Sequence, residues 1–376
     1  MMNWKMIWGQ SISYPYLSFM MPKRCTVGFE ITSAVNAEKL RIRFSNLLGK
    51  IPTIVGECTI KDNGKRVNIT KDGEMEFVIP CGESVYSDEV DLKVMSGESV
   101  EIRIYYKNRP MDWNAIEENA NWVKHINLCH SDTFPPVKRS KNAMMDNAFY
   151  PIPIIDSIEV YTDHDPAIIV AFGDSITQQS FWTKPLAAKL FDRYQDQVVL
   201  INKGIGGNRI LQRGKGLMRS YGEAAIERFD RDVLEINGVK CVIIALGTND
   251  IGFYKLNWKD HITTTLLSDA IKAMAEELRA RHIRVVGTTL LPRMGSAHYN
   301  DRQEAIRKEF NEWIRINAGF DYVADFDKAT QDGKYGNRLK EIYDCGDHLH
   351  PSREGGKAMA EAIDLERLLS FNRLTS

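Results

Sequence analysis

The chain has 376 residues, more than one average domain holds. Hydrophobic residues make up 43% of it, enough for a sizeable core, and 49 basic side chains stand against 50 acidic ones. A net charge of -1 removes any electrostatic drive toward nucleic acid or an anionic membrane.

The segment from Met1 to Gln10 has no basic stretch followed by an apolar run and a small-residue cleavage site. The expectation is a protein without a secretory signal, located in the cytoplasm. No apolar run is long enough to span a bilayer. Up to about residue 162 the pattern has period two. Leu40, Ile42 and Phe44 alternate with Arg41 and Arg43; Val90, Leu92 and Val94 alternate with Asp91 and Lys93. Val100, Ile102, Ile104 and Tyr106 alternate with Glu101, Arg103 and Tyr105. Such runs are strands with one buried face. Asn63-Gly64 and Asp72-Gly73 supply turns between them. This predicts an antiparallel β-sandwich-like or jelly-roll-like domain over residues 1–162. The stretch from Lys107 to Asn147 reads as mostly irregular. Asp163-His164-Asp165-Pro166 is the best short hinge, and no internal repeat is present.

From Ala167 continuous apolar runs alternate with helical ones. The predicted strands are Ile168–Phe172, Val198–Asn202, Cys241–Leu246, Ile283–Thr289 and Tyr322–Phe326. The predicted helices are Pro185–Tyr194, Tyr221–Leu234, Thr263–Arg281, Arg302–Asn317 and Arg353–Leu369. Strands without alternation are buried on both faces. Residues 163–376 are therefore expected to form an α/β domain with a doubly wound parallel sheet, a flavodoxin-like three-layer α/β/α fold. Such domains bind ligands at the carboxyl ends of their strands.

The first of these strands ends in Gly173-Asp174-Ser175-Ile176-Thr177, where a serine in a tight turn exposes its hydroxyl at the sheet edge. Read alone, this is equally a turn or a helix cap. The second strand ends in Gly204-Ile205-Gly206-Gly207-Asn208-Arg209, whose glycines let backbone approach a ligand. The spacing is not that of a phosphate-binding loop. The third ends in Gly247-Thr248-Asn249-Asp250, where an asparagine amide can donate above the sheet or merely cap the turn. Near the C-terminus, Asp347-His348-Leu349-His350 places a carboxylate three residues before an imidazole it can orient. The His-x-His pair also raises a zinc site, but no further ligand cluster joins it. The six cysteines are scattered without a CxxC pair, so free, buried thiols are expected rather than disulfides or zinc. Together the strand ends supply nucleophile, oxyanion donors, base and orienter.

These four ordered blocks resemble those of the SGNH (GDSL) hydrolases over about residues 165 to 368. The resemblance implies Ser175 as nucleophile, Asp347 and His350 as the rest of the catalytic set, and an oxyanion hole from Ser175, Gly207 and Asn249. It implies no metal and no cofactor. Asp174, Arg209, Phe253 and His348 are candidate substrate contacts, with core, surface or salt-bridge roles as their plainer readings. A narrower resemblance, to two-domain enzymes of this superfamily similar to rumen xylan-associated acylesterases, is carried by Leu40–Asn46, Val78–Pro80, Tyr86–Asp88, Glu101–Tyr105 and Arg228–Leu234. It implies a serine esterase removing short acyl groups from plant oligosaccharides. The alternatives are a lipase, lysophospholipase or thioesterase on the same machinery, and a non-catalytic carbohydrate-binding protein. The expected partner is a small-molecule or oligosaccharide ester, with neither nucleic acid nor membrane. The β-domain has three open readings: sugar binding, closure over the active site, or dimerisation into a homo-oligomer. Trp113 and Trp122 are candidates for stacking on sugar, or for core.

Overall fold

The computed structural model describes residues 3–14, 24–62, 64–112, 115–117, 123–129, 149–151, 154–252, 262–297, 299–316 and 319–370. The period-two runs form strands as expected. In chain order these are β1 (Asn3–Gly9), β2 (Cys25–Thr32), β3 (Ala37–Ser45), β4 (Thr53–Asp62), β5 (Lys65–Asn68), β6 (Phe77–Ile79) and β7 (Ser84–Tyr86). They continue with β8 (Val90–Val94), β9 (Ser99–Tyr106), β10 (Ala115–Glu117), β11 (Val123–Cys129), β12 (Phe149–Pro151) and β13 (Ile155–Thr162). One antiparallel sheet has the order β1-β13-β3-β7, with β8 also on β3; a second runs β11-β2-β9-β4-β5, with β6 also on β4. Leu40, Ile42 and Phe44 are buried on one face of β3, while Arg41 and Arg43 on the other pair with Glu159 and Asp156 of β13. The two sheets meet through their inner faces. The Trp8 ring lies 6.2 Å from that of Phe29, and Phe44 lies 5.1 Å from Phe77. This is a β-sandwich-like arrangement.

The expectation of an irregular Lys107–Asn147 is corrected where that stretch is described, because it holds β10 and β11. A register shift between Val123 and Ile126 breaks the alternation of β11, which hid it from a period-two reading.

From Ala167 the order is β14 (Ala167–Gly173), α1 (Ser175–Gln178), α2 (Thr183–Tyr194), β15 (Val198–Gly204), α3 (Ala225–Phe229), a π-helical turn over Asp230–Leu234, and β16 (Val239–Ala245). Then come α4 (Thr248–Gly252), α5 (Thr264–Ala280), β17 (Arg284–Thr288), α6 (Asp301–Ile316), β18 (Tyr322–Ala324), α7 (Phe326–Thr330), α8 (Arg353–Glu361) and α9 (Leu365–Leu368). The sheet order is β15-β14-β16-β17-β18, and β14, β16, β17 and β18 run parallel. Every residue of β14 is buried, which explains its unbroken apolar run. The strand order reverses at β14. A doubly wound sheet opens its crevice at such a point, beyond the carboxyl end of the strand.

At three of the predicted boundaries that move, a side chain caps the backbone. The expected helix Tyr221–Leu234 starts at Ala225, where Glu227 accepts from the Ala224 N–H, and it passes into the π-helical turn. The strand expected to reach Phe326 stops at Ala324, because Asp325 accepts from Lys328 N and starts α7. The last helix is two, divided where Asp364 accepts from Glu366 N and Arg367 N.

The chain divides into two units. One comprises Met1–Pro166, Phe191–Asn202 and Gly216–Ser220; the other comprises Ala167–Leu190, Lys203–Lys215 and Tyr221–Ser376. Among the described residues no helix is long and apolar enough to cross a membrane. Cys58 and Cys241 are buried free thiols, whereas Cys81 and Cys345 are free but exposed, against the expectation of burial.

Candidate active site

Gly173 closes β14, and Asp174 caps the short helix α1 by accepting from Ile176 N at 3.0 Å. Ser175 is the first residue of that helix. Its Oγ lies 2.8 Å from His350 Nε2. His350 Nδ1 lies 2.6 Å from Asp347 Oδ2, and the other oxygen of Asp347 accepts from Leu349 N and His350 N. Burial works to raise the Asp347 carboxyl, but the hydrogen bond and charge of His350 and these two N–H groups hold it well below the usual carboxylate range. An ionised carboxylate only accepts. Nδ1 is therefore the protonated nitrogen of the neutral ring, and Nε2 is left to accept from Ser175. The arrangement can move a proton off the serine hydroxyl.

Two backbone N–H groups of the expected oxyanion set are unengaged. Neither the Ser175 N–H nor the Gly207 N–H has a hydrogen-bond partner among the described residues. Gly207 has φ +74°, and a Cβ there would lie 2.3 Å from the Tyr221 ring, so both backbone and space demand glycine. The buried side chain of Asn249 donates through Nδ2 to Asn208 O at 3.0 Å, which leaves its second N–H available.

The sequence reading missed what holds these loops. Asn208 is fully buried: its amide donates to Tyr221 O and Glu223 O, and its oxygen accepts from Arg228 Nε. Arg228 is likewise fully buried. It donates to Gly173 O at 2.9 Å and Lys203 O at 3.0 Å, joining the ends of β14 and β15, and pairs with Asp232 at 2.9 Å. Its guanidinium lies 4.2 Å from the centre of the Phe172 ring. Burial works to raise Asp232, yet the charges of Arg231 and Arg228 hold it far below its ordinary range. The spacing of Arg228 and Asp232, one helical turn apart, was the available signal. Arg293 is also buried and donates to Thr248 O at the start of α4.

Burial lifts the Asp174 carboxyl to about 7 and the Asp250 carboxyl to about 6. Asp250 accepts from Ile210 N and Leu211 N and so fixes the loop after Gly207. For Asp174 the folded state holds a proton that the unfolded chain has already lost between its ordinary 3.8 and about 7. Folding stability from this group therefore falls as pH rises through that window and stays reduced above it. Asn at position 174 keeps the cap and removes the charge. We expect Asp174→Asn to unfold at higher urea than the parent at pH 8, by roughly 2–4 kcal/mol, with the difference gone near pH 4. Parallel stability curves across that range would contradict the assignment.

Of the candidate substrate contacts, Asp174 is the buried helix cap. Arg209 is buried and bonds to Gln212 Oε1 and Arg213 O of its own loop, rather than to a carboxylate among the described residues. His348 is exposed, with φ +59°, and Asp344 accepts from both its backbone N–H and its ring Nδ1, the latter at 2.5 Å. His348 and His350 thus belong to two separate carboxylate–imidazole pairs. Donor atoms of Asp344, Cys345 and Asp347 lie within 4.8 Å of one another, but both carboxylates are engaged by imidazole and backbone N–H groups. Phe253 lies outside the described residues, as do Trp113 and Trp122.

The fold is that of an SGNH hydrolase preceded by an antiparallel β-domain. Residues 171–358 match the model of the GDSL-like lipase/acylhydrolase family, and the chain belongs to that family of ester hydrolases. Among solved structures, a protein of the G-D-S-L family from Desulfitobacterium hafniense is 26% identical, with 54% of this chain and 99% of that one covered and a TM-score of 0.40. A GDSL-like lipase from Bacteroides thetaiotaomicron is 21% identical, covering 55% and 88%, with a TM-score of 0.39. A catalytic mutant of an acetylxylan esterase from Geobacillus stearothermophilus is 17% identical, covering 55% and 94%, with a TM-score of 0.42. No curated protein matches.

Proposed function

We propose that the protein is a serine esterase that removes short acyl groups, acetyl foremost, from plant-type oligosaccharides such as xylan fragments. The hydrogen-bonded chain Ser175–His350–Asp347 carries this reading. Ser175 Oγ attacks the ester carbonyl while His350 Nε2 takes its proton, and Asp347 holds the tautomer and stabilises the imidazolium. The N–H groups of Ser175 and Gly207 and the amide of Asn249 receive the developing oxyanion. His350 then protonates the leaving sugar hydroxyl, and the same base activates water to release the acid from the acyl-enzyme. No step calls on a metal or cofactor.

Residues 163–376 form the catalytic domain in this reading and 1–162 an accessory one. The sugar assignment is supported by the resemblance of the β-domain segments and of Arg228–Leu234 to two-domain enzymes similar to rumen xylan-associated esterases. Imported acetylated oligosaccharides in the cytoplasm are the substrates it favours. His348 presents Nε2 as an acceptor for a substrate hydroxyl, since its Nδ1–H donates to Asp344.

The test is a substrate panel: p-nitrophenyl esters of increasing chain length, and acetylated xylo- and manno-oligosaccharides followed by acetate release. Turnover confined to acetyl esters and acetylated sugars is the expected result. A preference for octanoyl or longer chains would replace it with the lipase, lysophospholipase or thioesterase reading. On the preferred substrate, Asn249→Ala lowers kcat by on the order of 10²–10³. An unchanged kcat would remove Asn249 from the oxyanion hole.

A further inference from the structure

The outer face of the sheet holding β2, β9 and β4 carries a cleft of about 440 Å³, within the roughly 300–1,000 Å³ of small-ligand sites. Its shape follows from the register. Thr26, Tyr105 and Glu57 stand in one row across the three strands; Gly28, Arg103 and Thr59 stand in the next. The neighbouring positions Val27, Ile104 and Cys58 point into the core. The pairing of β4 with β9 shifts between Val55 and Glu57, so Gly56 is the extra residue of a β-bulge. A Cβ at position 56 would lie 2.8 Å from Tyr105 Cδ1. Glycine there leaves the ring room to lie along the floor.

The polar groups are arranged around that ring. Arg66 donates to Thr59 Oγ1 at 2.8 Å and to Glu101 Oε1 at 2.9 Å, and Arg103 donates to the same Glu101 oxygen. The exposed carboxylate of Glu57 has no partner among the described residues. Two guanidinium groups and two carboxylates balance in charge, which disfavours an anion. Among the residues lining the cleft Tyr105 is the one large apolar side chain that faces it, because Ile104 turns its side chain into the core, and this disfavours an acyl chain. One flat ring beside planar donors and an open acceptor matches a pyranose, with an apolar C–H face and a rim of hydroxyls.

We propose that this cleft is a glycan-binding site, where a neutral pyranose stacks on Tyr105 and hydroxyls bond Glu57, Arg66 and Arg103. The choice of a xylan-type sugar rests on the glycan-ester reading above; the geometry of the cleft does not. The experiment is calorimetric titration of the full chain, carrying Ser175→Ala to prevent turnover, with xylohexaose and mannohexaose. Binding of one of them is expected. Tyr105→Ala weakens it by roughly tenfold or more, whereas Tyr105→Phe keeps it within about threefold. With Ser175 intact, Tyr105→Ala leaves p-nitrophenyl acetate turnover unchanged, which reports that the catalytic half is folded. Equal binding by the Tyr105→Ala protein would place the sugar elsewhere and overturn the proposal. So would the absence of binding to either sugar, or arginine-dependent binding of inorganic phosphate in their place. Acetate release from acetylated oligosaccharides separates the two readings. Release without binding at the cleft defeats only the cleft. Binding at the cleft with no release from any glycan defeats only the substrate assignment.

Discussion

Alanine at Ser175 lowers kcat for ester hydrolysis by on the order of 10⁴–10⁶, and alanine at His350 by a similar factor. The two groups share one proton across 2.8 Å, so neither works without the other. The double variant is therefore no slower than the worse single one, and the effects do not multiply. Asp347→Asn costs less, roughly 10²–10⁴, because the base survives but the amide no longer forces Nδ1 to carry the proton. KM stays near its original value in all of these, since the groups act on the transition state rather than on the bound ester. Single-turnover kinetics on a fast acetyl ester measures the series. Multiplicative losses, or a Ser175→Ala protein with residual turnover within tenfold of the parent, would mean that ester cleavage uses another nucleophile.

The second large effect is on stability. Arg228→Met lowers the unfolding free energy by about 3–5 kcal/mol. The methionine fills much of the space but removes the guanidinium donor from Lys203 O and the Asn208 oxygen, and leaves Gly173 O with the Ile205 N–H alone. Buried Asp232 loses one of its two arginines. Urea unfolding followed by tryptophan fluorescence reads the loss. Removing the stranded charge as well, in Arg228→Met with Asp232→Leu, recovers part of it. Activity falls at temperatures where the variant is still folded, because Gly173 and Asn208 position the serine turn and the Asn249 amide. A loss under about 1 kcal/mol would show that the guanidinium is solvated in the native protein.

Much of this was legible before any coordinates. Ile168 to Phe172 is continuously apolar because both faces of β14 are covered, and such a run announces a central parallel strand. The ends of β14, β15 and β16 are where the sequence carries Ser175, Gly207 and Asn249. What stayed hidden has a common cause. Asn208, Arg228, Asp232 and Asp250 are polar residues that a sequence reading assigns to the surface, and only their mutual satisfaction lets them be buried. That property belongs to the assembled fold. The caps formed by Glu227, Asp325 and Asp364 escaped for a related reason, since each depends on a side chain turning back onto its own backbone. In β11 a one-residue irregularity was enough to erase a period of two.

The serine and its base lie 175 residues apart in the chain. At roughly 5–20 residues per second, the ribosome adds that interval in about 9–35 s. During this time β14 to β18 can emerge in order and begin to assemble, carrying a serine hydroxyl with no imidazole to ionise it. A nascent chain of this design does not cleave esters until His350 has emerged. Competence arrives in a single step, when the short loop bearing Asp347 and His350 leaves the exit tunnel.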